Sequence, residues 1–175
     1  MNTPRFDTRA DLGFAWSVKD SFLRYIRSMP DGAIHWGDGA SVTSDGQFYF
    51  PLTSVTRTTE GLDLQFGGEV RFLAHRGLLA VTLESPIIRV TRTTATLING
   101  VEGGRDELCE MNLPPQTHDD DVLMWLDAPV TLTAAGSELF AGTYALHEVM
   151  APMTIRIPLA RDTTSPAGTL TAADV

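Results

Sequence analysis

Ser21 and Tyr25 stand four residues apart in the stretch Trp16-Ser17-Val18-Lys19-Asp20-Ser21-Phe22-Leu23-Arg24-Tyr25-Ile26. On an α-helix that spacing puts a hydroxyl and a phenol on one face, one turn apart. The ordinary use of a tyrosine on the apolar face of such a helix is to pack its ring and give its hydroxyl one hydrogen-bond partner. His75 follows a β-rich run that Gly67-Gly68 interrupts, and a bend there brings the imidazole inward. His35, His118 and His147 are scattered, and no two of the four histidines share the i, i+4 spacing of a helical metal pair.

The remaining chemistry-bearing residues point to no reaction. Asp119-Asp120-Asp121 lacks the glycine and the terminal bidentate glutamate of a calcium loop, and reads as a solvated turn. Cys109 is the single cysteine, which excludes an intrachain disulfide and a C-x-x-C zinc site, and it reads as a small buried residue in a strand. G-x-S-x-G, Walker, G-x-G-x-x-G and paired-carboxylate helix motifs do not occur, so the motifs indicate no enzyme.

Two elements must position Tyr25 and His75. Trp16, Phe22, Leu23, Ile26 and Met29 recur at helical spacing, which predicts a helix over Ala15 to Met29. Ser17 with Asp20 makes a capping box, and Pro30-Asp31-Gly32 ends the helix. From Ala33 onward, short runs rich in β-formers alternate with Gly, Asp, Asn and Pro, as in an antiparallel meander. The strands are expected at Ala33 to Trp36, Ala40 to Thr43, Gln47 to Phe50, Leu52 to Thr58, Leu62 to Ala74, Leu78 to Ser85 and Ile87 to Thr91. Further strands are expected at Thr96 to Ile98, Glu107 to Leu113, Val122 to Leu126, Val130 to Leu132 and Met153 to Leu159, with exposed loops at Gly100 to Asp106 and Pro114 to Asp121. A second short helix spans Thr133 to Gly142, with Thr133 as N-cap, Gly142 as stop, and Leu139 and Phe140 facing inward.

With 175 residues, 43% of them hydrophobic, the chain has material for one buried core. The expected division is an N-terminal arm over residues 1–13, one domain over 14–160 and a flexible tail over 161–175. A formal charge of -9 argues against nucleic acid as a partner, because phosphate binding needs a clustered cationic surface. Twelve of the 13 basic residues are Arg, so guanidinium forks for carboxylates are available. Arg5, Asp7, Arg9 and Asp11 break the first fifteen residues, which therefore hold neither a signal-peptide core nor a membrane span. No later stretch is apolar enough to span, and the expected location is the cytoplasm.

Four stretches together resemble the HtaA domain family, the heme-binding conserved regions of actinobacterial heme-uptake proteins. They are W-S-V-K-D-S-F-L-R-Y-I at Trp16 to Ile26, F-Y-F-P at Phe48 to Pro51, G-E-V-R-F-L-A-H-R-G-L-L-A-V-T-L-E-S-P at Gly68 to Pro86, and L-T-A-A-G-S-E-L-F-A-G-T-Y at Leu132 to Tyr144. The resemblance runs from about Phe14 to Ile155 and holds in order and spacing. It implies a mainly β fold, an antiparallel β-sandwich-like body with two short helices flanking a heme pocket. It further implies that Tyr25 is the axial ligand of ferric heme iron, that His75 hydrogen-bonds that tyrosine, and that Ser21 matches the family's serine one turn earlier. Phe140 becomes a ring contact by inference from its helix, and Arg24, Arg27 and Arg76 are the nearest propionate partners in sequence.

Three functions follow from different classes. The first is a heme-binding protein, not an enzyme, that holds ferric protoporphyrin IX for transport, buffering or transfer to another heme-handling protein. The second is a structural or interaction module that has kept the scaffold without heme, and the third is heme-dependent peroxide chemistry, since tyrosinate also serves catalases.

Overall fold

Ala15 and Trp16 lie in a strand and not in the helix predicted over Ala15 to Met29. The structure is a computed structural model that describes residues 11–100 and 104–159. Strand β1 (Gly13–Trp16) is buried along its whole length, and helix α1 (Asp20–Ser28) begins only after Val18, whose φ is +62°. A four-residue apolar run reads equally as helix or strand, and here hydrogen-bonded neighbours on both sides decide for strand. The expected capping box also fails. Lys19 is the N-cap and makes no side-chain cap, while Asp20 in the first turn complements the helix dipole.

After the helix come β2 (Ala33–Gly37), β3 (Ser41–Val42), β4 (Phe48–Arg57), β5 (Gly61–Phe66) and β6 (Glu69–Ala74). A turn at His75–Gly77 leads to β7 (Leu79–Glu84), β8 (Ile87–Thr91) and β9 (Thr94–Ile98). Next are β10 (Glu107–Asn112), β11 (Thr117–Asp119), β12 (Val122–Ala128) and β13 (Val130–Leu132), then helix α2 (Ala134–Leu139) and β14 (Met153–Pro158). The fold is mainly β, as expected. A long antiparallel sheet curls in the order β11-β12-β14-β1-β4-β5-β8-β9-β10-β13 with β3 attached to β4, and β2-β6-β7 form a separate three-stranded sheet.

Three local features depart from the sequence reading. The two strands expected on either side of Pro51 are one, β4, which pairs with β1 up to Pro51 and with β5 from Leu52. Gly67-Gly68 is a change of sheet: β5 pairs with β4 and β8, β6 with β2 and β7. Gly68 has φ +103° and approaches Ala40 so closely that a Cβ would meet its backbone nitrogen at 2.8 Å. Thr117–Asp119 is a strand within an expected loop, and its three residues are exposed, so no apolar alternation marks it.

The core runs under the curled sheet, with Phe14 stacked on Phe50 at 4.7 Å and edge-on to Phe66 at 4.7 Å. Cys109 is buried in β10, as its sequence context predicts. Beyond α2 the chain bonds back to β13 through His147 N–H to Leu132 O at 2.9 Å and Met150 N–H to Val130 O at 2.9 Å. Ala151 N–H then donates to Val18 O at 2.8 Å, which ties this segment to the start of α1. The expected tail over 161–175 and nearly all of the expected arm over 1–13 lie outside the described residues.

Candidate functional site

Helix α1 buries Phe22, Leu23 and Ile26 and turns Ser21, Arg24 and Tyr25 outward. Tyr25 is therefore not a core residue: it is 41% exposed, because a nine-residue helix packed on one side covers a narrower stripe than the apolar spacing suggests. Its hydroxyl shares a short hydrogen bond with Nε2 of His75, and the two ring centroids are 5.9 Å apart. The bend that was expected to bring His75 inward leaves the residue exposed, yet aims its ring at the helix.

His75 sits in the turn of the β6–β7 hairpin. His75, Arg76 and Gly77 have φ of 53°, 57° and 84°, and only the glycine adopts that region freely. Left-handed backbone costs a non-glycine residue about 1–2 kcal/mol. The turn is held by Leu78 N–H to His75 O at 3.1 Å and by Arg76 N–H to Oδ2 of Asp31 at 2.5 Å. The Arg76 N–H, and to a lesser degree the N–H groups of His75 and of Asp31 itself, hold the Asp31 carboxyl below its usual range.

A cavity of about 540 Å³ opens beside the Tyr25–His75 pair, lined also by Phe22, Leu78, Leu79 and Phe140 and by Ala141, Thr143 and Tyr144. Thr133 caps α2 by accepting from Gly136 N–H at 3.0 Å, as its sequence predicts, and the helix delivers Phe140 at its C-terminal end. Phe140 is 2% exposed and packs edge-on against Phe22 at 5.0 Å and Tyr144 at 5.7 Å. Lys19 fixes the loop beyond, donating to Val149 O at 2.7 Å, pairing with Glu148 at 3.1 Å and lying 5.6 Å over the Tyr144 ring.

The sequence-predicted residues thus divide. Tyr25, His75 and Phe140 meet at the cavity. Ser21 is exposed one turn before Tyr25, outside the cavity lining, and has no hydrogen bond from its hydroxyl among the described residues. Arg24, Arg27 and Arg76 are exposed and make no ion pair among the described residues. His35, His118 and His147 are exposed, and no cluster of metal-ligating residues occurs among the described residues.

Sequence reasoning missed Leu78, Leu79, Tyr144 and Asp31. Leu78, 89% exposed beside the cavity, gave a signal only as an ordinary strand residue. A second cavity of about 650 Å³ between Leu62 and Trp125 offers no phenol, imidazole or thiol. What the first site offers chemically is a phenol oxygen backed by an imidazole at the edge of an apolar slot. Such an oxygen suits a hard cation, and the slot suits a flat apolar body.

Residues 11–156 match the HtaA family model, described as Htaa. The C-terminal domain of HtaA from Corynebacterium glutamicum has the same fold, with TM-score 0.73 and 22% identity over 85% of this chain and 96% of that one. The N-terminal domain of the same protein gives TM-score 0.71 and 24% identity over 89% of this chain and 100% of that one. The heme-binding protein HtaB from Corynebacterium glutamicum gives TM-score 0.67 and 19% identity over 82% and 90%. At these identities the likeness shows the fold alone. No match was found among curated proteins.

Proposed function

The chain belongs to the HtaA family, and on that premise we propose that it binds ferric heme through the Tyr25 oxygen and serves in heme transport, buffering or transfer. The observation that supports this best is the Tyr25–His75 hydrogen bond at the mouth of an apolar cavity. The likeness to a heme-binding protein, HtaB, points the same way.

The residues present fit the group. The cavity volume lies within the range of small-molecule sites, roughly 300–1,000 Å³, and its walls are aromatic and aliphatic. Ferric heme supplies a hard trivalent iron that favours an anionic oxygen ligand such as tyrosinate. To bind so, Tyr25 must release its hydroxyl proton, and Nε2 of His75 already stands where that proton can go. Once protonated there, the imidazole donates a hydrogen bond back to the phenolate oxygen, fixing the ring and drawing off charge. Phe22, Leu79, Phe140 and Tyr144 provide the apolar walls, while Arg24 and Arg76, exposed next to Tyr25 and His75 in the chain, offer guanidinium groups to the propionates.

Titrating hemin into the purified protein is the test. The reading expects a Soret band that saturates at one equivalent, and an unchanged hemin spectrum would leave the heme-free module in its place.

A further inference from the structure

We propose that Asp31 is a positioning residue: its carboxylate holds the His75 turn so that the imidazole meets Tyr25, and it thereby sets how tightly ferric heme is held. This inference rests on the heme reading above. The β2–β6 ladder runs Ala33 opposite Leu73 in antiparallel register, so continuing it two positions, past Gly32 and Ala74, sets Asp31 against His75. There the backbone ladder stops, and the Asp31 side chain takes its place by accepting the Arg76 N–H at 2.5 Å. The His75 N–H also faces this carboxylate. Backbone N–H groups that converge in a tight turn make a concave site for an anion. Asp31 fills that site with a group from the same chain.

The other end of Asp31 is equally fixed. It follows Pro30 directly after α1, and Gly32 N–H donates to Met29 O at 3.0 Å. A Cβ on Gly32 would lie 1.8 Å from Ile26 O, so the chain folds tightly back onto the helix that bears Tyr25. Asp31 thus couples the helix end to a hairpin turn in which His75 and Arg76, neither of them glycine, hold left-handed backbone. An imidazole on a turn free to relax would leave Tyr25 without its proton acceptor.

The test compares hemin dissociation constants of the full chain with Asp31→Ala, Asp31→Asn, His75→Ala and the Asp31→Ala/His75→Ala pair. In parallel, NMR of the hemin-free protein follows the Tyr25–His75 ring contact, detectable at a centroid distance of 5.9 Å. Asp31→Ala should weaken hemin binding about tenfold, the low end for a residue supporting a metal ligand, and should lose the ring contact. Asp31→Asn, whose side-chain oxygen still accepts the Arg76 N–H, should stay near wild type in both. Added to His75→Ala, Asp31→Ala should change nothing further, because its effect passes through His75.

Wild-type binding with the ring contact intact in Asp31→Ala would overturn the proposal, and so would an undiminished second loss in the His75→Ala background. Should Asp31→Ala not fold, Asp31→Ser, too short to reach the Arg76 N–H, gives the same comparison. If the wild-type protein takes up no hemin, the heme reading fails by itself, and the ring contact in the hemin-free variants still decides whether Asp31 positions His75.

Discussion

The Tyr25 hydroxyl and Nε2 of His75 share a hydrogen bond although fifty positions of sequence separate them. Neither residue is buried, so packing alone does not bring them together. Tyr25 comes from the outward face of α1, His75 from a left-handed hairpin turn on the adjoining small sheet. Backbone strain of that kind persists where surrounding structure enforces it, and it concentrates at functional sites.

On the proposed reading, His75 supports the ligand and is not the ligand itself. Replacing it with alanine should weaken hemin binding by about 10–100-fold, the usual effect of removing a hydrogen-bond partner of a metal ligand. An absorbance titration measures this. Unchanged affinity would separate His75 from the site, and complete loss would make it the ligand.

Phe140 is a wall built into the core. Its ring lies against Phe22 and Tyr144 and is 2% exposed, so Phe140→Ala should cost about 3–5 kcal/mol of stability. Urea unfolding of the hemin-free protein reads it directly, and a loss below about 1 kcal/mol would show that the loop collapses into the space.

The Asp31 carboxyl is depressed in the folded chain, chiefly by the Arg76 N–H. The unfolded chain therefore takes up this proton at a higher pH than the folded one. The stability that Asp31 contributes is fully present above its ordinary value of 3.8 and is lost as pH falls through the depressed folded value. The urea midpoint of wild type should fall more steeply than that of Asp31→Asn as pH drops below about 4, and parallel curves would refute the linkage.

Burial pushes the Cys109 thiol up to about 12. A thiol reagent at pH 8 should leave the folded protein unlabelled and react only on addition of denaturant. Rapid labelling of the native protein would mean that β10 opens readily.

Much of this architecture is legible in the amino-acid order. β-Branched runs punctuated by Gly, Asp and Pro mark most strands, and Thr133 marks the start of α2 by its capping chemistry. Gly13–Trp16 misleads because a short run buried on both faces has no period that distinguishes strand from helix. Tyr25 misleads in the opposite sense. Its spacing from Phe22 and Ile26 places it at the border of the apolar stripe, and only the packing of α1 shows that the border is solvent-facing. The role of Asp31 leaves no signature, since nothing in His75-Arg76 announces a left-handed turn and only Gly77 hints at one.

The central claim is that the Tyr25 oxygen binds ferric heme, and the hemin spectrum of Tyr25→Phe tests it most directly. This variant removes one oxygen and keeps the ring that lines the cavity. The account predicts that wild type shows a saturable Soret shift with the charge-transfer absorption of a phenolate–iron bond, and that Tyr25→Phe lacks that absorption and binds hemin at least tenfold more weakly, about 1.4 kcal/mol. A Tyr25→Phe spectrum identical to wild type would contradict it.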